Sequence, residues 1–361
     1  MDHSGNRWHW PIVLPLAGLL MFGVAAILQL NAVLASLAGL ALGGSVIGAV
    51  HHAEVIAQRV GEPFGTLVLA IAVTAIEAGL LVSLLFAGDV GREILVRDTL
   101  YATVMIIASG VMGLCVLLGA LRHRVQSFRI EGAGPAFAAL MALAVLVLIV
   151  PRFTTSAPGA AYTPSQLIFV AVCSLCLWCA FVFFQTVRHR DYFLPTDGRG
   201  DTEAHAPMPS LAAARASFAL LLIALVGVIG LAKTISPAIE AAVRAVAAPR
   251  AAIGIAVALL VLLPESTAAV RAALANRLQT SLNLALGSAL ATIGLTVPIV
   301  VAVCLAADIP LLLGLEPKDI VLLTLTLMVG TVGVVAGRTN MMYGAVQLVI
   351  FAAFLFLSLV P

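Results

Sequence analysis

Apolar residues run along this chain in long blocks separated by short polar intervals. The blocks lie at 11–31, 33–57, 66–88, 100–120, 134–151, 165–187, 213–233, 251–272, 278–306, 320–336 and 341–360, each long enough or nearly so to span a bilayer. Helices are predicted throughout, because open strands would leave backbone N–H and C=O groups unpaired in hydrocarbon. The longest polar interval, Arg188 to Ser210, carries Asp191, Asp197, Asp201 and Glu203, then Pro207 and Pro209, and reads as a flexible linker. Six helices precede it and five follow. The expected fold is an all-α polytopic membrane protein of about eleven transmembrane helices.

Composition narrows the class. Of 361 residues, 62% are hydrophobic and 10% charged, with mean hydropathy +1.14. A soluble domain of this size could not hide so much apolar surface, so the partner is the lipid bilayer. A net charge of +2 gives no reason to expect nucleic acid. Arg7 ahead of the run Pro11 to Leu30 imitates a signal peptide. The run exceeds the usual length and no small-x-small cleavage site follows, so a retained helix is expected. Twelve Lys and Arg fall on the side of the N-terminus and seven on the other. That bias predicts a cytoplasmic N-terminus and linker, with the C-terminus outside. Cys173, Cys176 and Cys179 line one helix face, but no His or carboxylate shares their segment, so packing is expected rather than metal binding.

Two residues break the apolar pattern where breaking it is costly. Glu77 is the only charge in Thr66 to Gly88, and Glu265 ends the uncharged run Ala251 to Pro264. A charge near the centre of a membrane helix costs about 2.5–3.5 kcal/mol on insertion scales, and such residues mark ion or proton pathways. Snorkelling to a headgroup or pairing with an arginine is the alternative.

The glutamates also bring the halves into register. A charged turn follows Glu77 (Asp89, Arg92, Glu93, Arg97, Asp98), and a shorter one follows Glu265 (Arg271, Asn276, Arg277). Asp98 then corresponds to Asn283, and Thr103 to Ser288. Glu77 lies in the third helix and Glu265 in the eighth, so their helices cross in opposite senses. That is the arrangement of inverted repeats in secondary transporters, whose sites lie near the midplane. The organisation predicted is an extra N-terminal helix (1–32), a first five-helix repeat (33–187), a cytoplasmic linker (188–212) and a second five-helix repeat (213–361).

Further features add oxygen or proton chemistry. Pro264 frees the carbonyl of Leu260, a ready ligand for a hard cation. Pro298 is a candidate kink in the ninth helix. His51, His52 and Glu54, near the end of the second helix, offer a cytoplasmic-side access point or pH sensor, with a solvated helix end as the alternative. Arg338 and Asn340 are expected to cap the last interhelical turn. All seven histidines lie near helix ends or in loops, which argues against an intramembrane enzyme. No cofactor is expected.

At these residues the chain resembles the cation/proton exchanger branch of the calcium/cation antiporter superfamily, most closely the bacterial ChaA-type calcium/proton antiporters. The likeness runs through His52-Ala53-Glu54 to Gly61-Glu62-Pro63-Phe64-Gly65, the Glu77 helix, Leu117 to Arg122 and Phe184-Gln185-Thr186. It continues through Leu263-Pro264-Glu265, Asn276 to Ser288, Leu295-Thr296-Val297-Pro298 and Gly337-Arg338-Thr339-Asn340. The resemblance implies that Glu77 and Glu265 bind the transported cation and exchange it for protons, and that the protein sits in the bacterial inner membrane. Vacuolar members carry Gly-Asn-Ala before each glutamate. Here those places hold Val73-Thr74-Ala75 and Val261-Leu262-Leu263, which bears on ion selectivity. Gly287-Ser288 keeps the second-repeat pattern, and Ala102-Thr103 stands in the first.

Two carboxylates describe exchange directly. Ionised together they carry −2, balanced by one divalent cation or by two protons but not by both. The leading expectation is antiport of cytoplasmic Ca²⁺, with Na⁺ or K⁺ as further cargo, against external H⁺ by alternating access. The alternative is a monovalent Na⁺/H⁺ or K⁺/H⁺ antiporter with little Ca²⁺ activity. The expected cation- and proton-binding set is Glu77, Glu265, Thr103, Ser288, Asn283 and Asp98.

Overall fold

The structure, a computed structural model, describes residues 10–28, 31–61, 64–87, 92–194, 208–245, 249 and 251–360. Thirteen α-helices run through them. In chain order they are α1 (Trp10–Ile27), α2 (Ala32–Val60), α3 (Phe64–Ala87), α4 (Arg92–Met105), α5 (Met112–His123), α6 (Ile130–Ala144) and α7 (Pro164–Phe183). Then come α8 (Leu211–Ala245), α9 (Ala251–Leu274), α10 (Leu278–Ala291), α11 (Val297–Ala306), α12 (Pro317–Val335) and α13 (Met341–Leu359). A π turn at Ile106–Val111 joins α4 to α5, and another at Thr292–Thr296 joins α10 to α11. The helices therefore form eleven apolar spans among the described residues. Two further π turns, Val145–Ile149 and Phe184–Arg188, follow α6 and α7. The strands β1 (Gln126–Ser127) and β2 (Arg338–Thr339) make a two-residue antiparallel pairing.

Helix ends follow from local chemistry. Asn31 Oδ1 accepts from Leu34 N at 2.8 Å and caps α2, and Gly61, at φ 74°, ends it. Thr163 and Gln166 form a capping box ahead of Pro164 in α7. Asn340 caps α13 by accepting from Met342 N and Tyr343 N, as expected for that turn, while Arg338 sits in β2 opposite Ser127.

Two elements depart from the sequence expectation at their ends. The charged residues from Arg92 to Asp98 belong to α4 rather than to a turn ahead of it. Glu93 suits the positive end of the helix, and Arg97 is neutralised by Asp98, so these charges enter the helix at little cost. Helix α8 runs on past Lys233 to Ala245, with Lys233 exposed and able to snorkel. Asp89, Asp197, Asp201 and Glu203 lie outside the described residues.

The chain forms two compact units, each drawn from both halves of the sequence. The first comprises Met1–Arg92 and His205–Ala248, with α1, α2, α3 and α8; the second comprises Glu93–Ala204 and Pro249–Pro361.

Small residues let the first unit close. A Cβ on Gly18 would fall on Ser45 Oγ, and a Cβ on Gly227 would lie 3.3 Å from the Gly18–Leu19 backbone. Helix α1 thus approaches α8 backbone to backbone and seats the small Ser45 side chain of α2, the usual route to tight packing in lipid. In the second unit, β1 places Gln126 to donate to Ala273 O at 2.9 Å and Asn276 Oδ1 at 3.0 Å. His123 donates to Leu274 O at 2.9 Å. The end of α5 is thereby fastened to the turn between α9 and α10.

Candidate functional site

Glu77 belongs to the first unit. Its helix seats on α8 through Gly79, which packs against Ile229 and Leu225, and through Ser83, whose hydroxyl donates to Ile229 O at 2.6 Å. At 100° per residue Glu77 faces away from Gly79, yet it is 2% exposed. Thr74, also 2% exposed, lies one turn before Glu77 on the same face. Thr74 occupies the place where vacuolar members of the resembled family carry an asparagine, and its three-residue spacing to Glu77 puts a hydroxyl on that face.

Glu265 belongs to the second unit and is half-buried. Helices α9 and α10 form an antiparallel hairpin about the turn Ala275-Asn276-Arg277. Glu265 stands as far back from that turn as Gly287 and Ser288 stand forward from it, about 14 Å at 1.5 Å per residue. Ser288 is half-buried, and among the described residues no atom from a neighbouring helix lies within 4 Å of where a Cβ on Gly287 would be. Glu265, Gly287 and Ser288 thus share one level, with open space beside the glycine.

The span Glu93–His123 runs alongside α9 in the same direction. A Cβ on Gly254 would meet the Asp98–Thr99 backbone at 3.0–3.1 Å, and His123 closes the far end on Leu274. The π turn Ile106–Val111 packs against α9 at about the depth of Glu265. Thr103 is fully buried on α4, and its hydroxyl has no hydrogen-bond partner among the described residues. It lies about 10 Å along the axis from Glu265, so the structure does not gather the two at one level.

Asp98 and Asn283 have other occupations. Arg97, 9% exposed, donates from Nε to Asp98 Oδ1 at 2.8 Å and places Nη2 at 2.8 Å from the same oxygen. Its Nη1 donates to Gly314 O at 3.3 Å and lies 3.7 Å from Glu316 Oε1. Asp98 is thus held at the Glu93 end of the unit by a cation already present. Asn283 Nδ2 donates to Phe193 O at 2.7 Å, and its Oδ1 accepts from Gln279 Nε2 at 2.9 Å. Gln279 Oε1 accepts from Arg129 N at 2.7 Å, and Arg129 Nη1 donates to Asp191 O at 2.7 Å. Asn283 therefore anchors the 3₁₀ turn Arg190–Phe193, at the opposite end of the unit from Asp98.

The histidines of α2 are also placed. Pro15 has no N–H for the carbonyl of Pro11 one turn before it, and His52 Nε2 donates to that oxygen at 2.9 Å. His52 Nδ1 lies 3.1 Å from Ser217 Oγ. Both ring nitrogens of this 4% exposed residue are engaged in holding α2 to α1 and α8. His51 packs against Trp10 with ring centroids 5.0 Å apart, and Glu54 is exposed.

At the Glu93 end of the second unit, Tyr162 donates to Leu146 O at 2.7 Å, and burial pushes its phenol up to about 12. It remains a donor at any physiological pH. No group of three or more His, Cys, Asp or Glu arranged to hold a metal occurs among the described residues.

The family described as sodium/calcium exchanger protein matches residues 30–187 and 216–360. The chain belongs to that family. It is a membrane transporter and not an enzyme. The exchanger is 43% identical over 360 residues to the putative ionic transporter y4hA of Sinorhizobium fredii (strain NBRC 101917 / NGR234), covering 98% of this chain and 96% of that one. It is 34% identical over 345 residues to the sodium-potassium/proton antiporter ChaA of Escherichia coli (strain K12), covering 95% and 93%. Its fold matches native YfkE, described as a Ca²⁺/H⁺ antiporter, with TM-score 0.74 at 17% identity, covering 97% of the exchanger and all of YfkE. The expected membership of the calcium/cation antiporter superfamily therefore holds.

Proposed function

We propose that this exchanger moves cytoplasmic cations outward against external protons, with Glu77 and Glu265 as the carboxylates that carry either. The observation that carries the reading is a pair of carboxylates inside apolar spans, Glu77 at 2% exposure and Glu265 level with Ser288. A group that costs this much to bury is retained at membrane depth for work on charge. The orientation keeps the N-terminus and linker cytoplasmic, in a bacterial inner membrane.

Inverted repeats are supported within the second unit. The span Glu93–His123 and the span Leu278–Ala306 run in opposite directions, and each is interrupted by a π turn. With Thr103 set on Ser288, the turn at Ile106–Val111 falls on the one at Thr292–Thr296. Alternating access then follows from rocking of matched halves.

Na⁺ and K⁺ lead as cargo. The 34%-identical relative is described as a sodium-potassium/proton antiporter, and Thr74 and Leu262 stand where vacuolar members carry asparagine. A divalent ion wants six to eight oxygens, and those amides would have supplied two. Ca²⁺ is the second reading, favoured by the −2 charge of the ionised pair.

Proteoliposomes with an acid interior and a quenched amine dye provide the test. Adding Na⁺ or K⁺ outside the wild type is expected to relieve quenching. Glu77→Gln and Glu265→Gln are expected to abolish that response while still inserting and purifying as the wild type does. Exchange near the wild-type rate in either variant would remove that residue from the reaction. A response to Ca²⁺ alone would reverse the order of the two readings.

A further inference from the structure

Each of the two central π turns has a buried polar side chain beside it that the exchange reaction does not use. Gly110, in the turn Ile106–Val111, lies against Phe351 of α13, where a Cβ would be 3.1 Å from the ring. Gly294, in the turn Thr292–Thr296, lies against Trp178 of α7, where a Cβ would be 2.5 Å from Trp178 Cβ. One helical turn before Phe351, on the same face, stands Gln347. One turn before Trp178, on the same face, stands Ser174. Gln347 is 6% exposed and Ser174 fully buried. Neither Gln347 Oε1 nor Ser174 Oγ has a hydrogen-bond partner among the described residues. Helices α7 and α13 lie in the sixth and eleventh spans, the last span of each proposed five-span repeat, so on that reading the two positions correspond.

A π turn takes carbonyls out of the ordinary helical ladder, and those carbonyls then need donors from elsewhere. The turn Val145–Ile149 does this visibly. Leu146 O takes the Tyr162 hydroxyl at 2.7 Å, and Leu148 O takes Leu315 N at 2.9 Å. Beside Thr292–Thr296 the need is greater, because Pro298 brings no N–H to the carbonyl of Gly294. At Gln347 the approach is closest on the far side of Gly113, whose Cβ would lie 2.9 Å from Gln347 Cβ.

We propose that Ser174 and Gln347 each anchor one internal water molecule that bridges the side chain to a carbonyl of the adjacent π turn. An orphaned polar atom in this setting costs about 1–3 kcal/mol, and a buried water with two or more polar partners removes that cost. The transported cation does not fit, since a single neutral oxygen at each position cannot offset the desolvation of a bare cation in low dielectric. A protein partner supplied by the opposite conformation does not fit either. On the exchange reading given above, matched halves take different conformations at any moment, so such a partner would leave only one of the two orphaned. Both are orphaned in the same conformation, and a small ligand common to both states meets that requirement. These hydrated joints let the π turns re-bond during rocking without exposing a carbonyl to hydrocarbon, which makes Ser174 and Gln347 positioning residues for exchange.

Radiolytic labelling of the full-length exchanger in H₂¹⁸O, read by mass spectrometry, tests the water directly. Met112, 3% exposed and next in sequence to Gly113, which packs against Gln347, reports on that position, and Trp178, 8% exposed and one turn from Ser174, on the other. Both are expected to take up ¹⁸O several-fold faster than Met105, which is fully buried at the end of α4. Gln347→Leu is expected to suppress labelling of Met112 alone, and Ser174→Ala that of Trp178 alone. Uptake at the Met105 rate in the wild type would overturn the proposal, whatever the variants do. In transport, each variant is expected to lower turnover several-fold at unchanged half-saturating cation, with Ser174→Thr restoring it. Labelled waters with wild-type turnover in both variants would overturn the positioning role. A wild type that labels as expected but exchanges no cation would instead refute the exchange reading and leave the water sites standing.

Discussion

Single residues in this exchanger divide by what already holds them. Asp98 is bound by Arg97 at 2.8 Å, and Asn283 spends both ends of its amide on Phe193 and Gln279. Ser288 shares a level with Glu265, and Thr103 keeps a buried hydroxyl with no partner among the described residues. Of the four, the two hydroxyls remain candidates for cargo, and the proposed inverted repeats would make them equivalents. Ser288→Ala is expected to weaken apparent cation affinity about fivefold, the loss of one oxygen contact worth about 1 kcal/mol. Thr103→Val is expected to act in the same direction. Concentration–response curves for Na⁺ would check both, and unchanged affinity in the pair would assign the hydroxyls to helix packing. The glutamates were legible in the sequence because a charge inside an apolar run is visible without neighbours. The engagement of Asp98 was not, since its meaning depends on Gly314 and Glu316, which meet Arg97 only in the folded chain.

Elements were legible in their middles and not at their ends. Hydrophobic runs located all eleven spans, but helix α4 begins within the charged stretch because Arg97 and Asp98 neutralise each other, and α8 passes Lys233 because a lysine can snorkel. The π turns left no trace in the pattern, apart from Pro298 beside one of them. The two central ones lie at close approaches, Gly110 to Phe351 and Gly294 to Trp178, which sequence alone does not contain. The 3₁₀ turn Arg190–Phe193 is another such element, held by Arg129 and Asn283. Asn283→Ala removes both of the amide's bonds, so it is expected to cost about 1–3 kcal/mol and to speed hydrogen exchange in residues 190–194. Cation affinity is expected to stay at the wild-type value. A fall in affinity with unchanged exchange would return Asn283 to the list of ion ligands.

At the scale of the whole molecule, the proposed exchange requires that protons and cations compete for the same two carboxylates, Glu77 and Glu265. Competition of this kind ties affinity to pH by linkage, because each cation that binds must displace the protons that the site would otherwise hold. Protons occupy the pair at low pH and leave it as pH rises, so apparent cation affinity must increase with pH across that range. The most direct measurement is the half-saturating concentration of Na⁺, K⁺ and Ca²⁺ in proteoliposomes from mildly acidic to alkaline pH. The expected result is affinity that rises by up to about tenfold per pH unit for a monovalent ion displacing one proton. A divalent ion displacing two should show a steeper rise. Affinity that ignores pH for every ion, in protein that exchanges them, would contradict that competition.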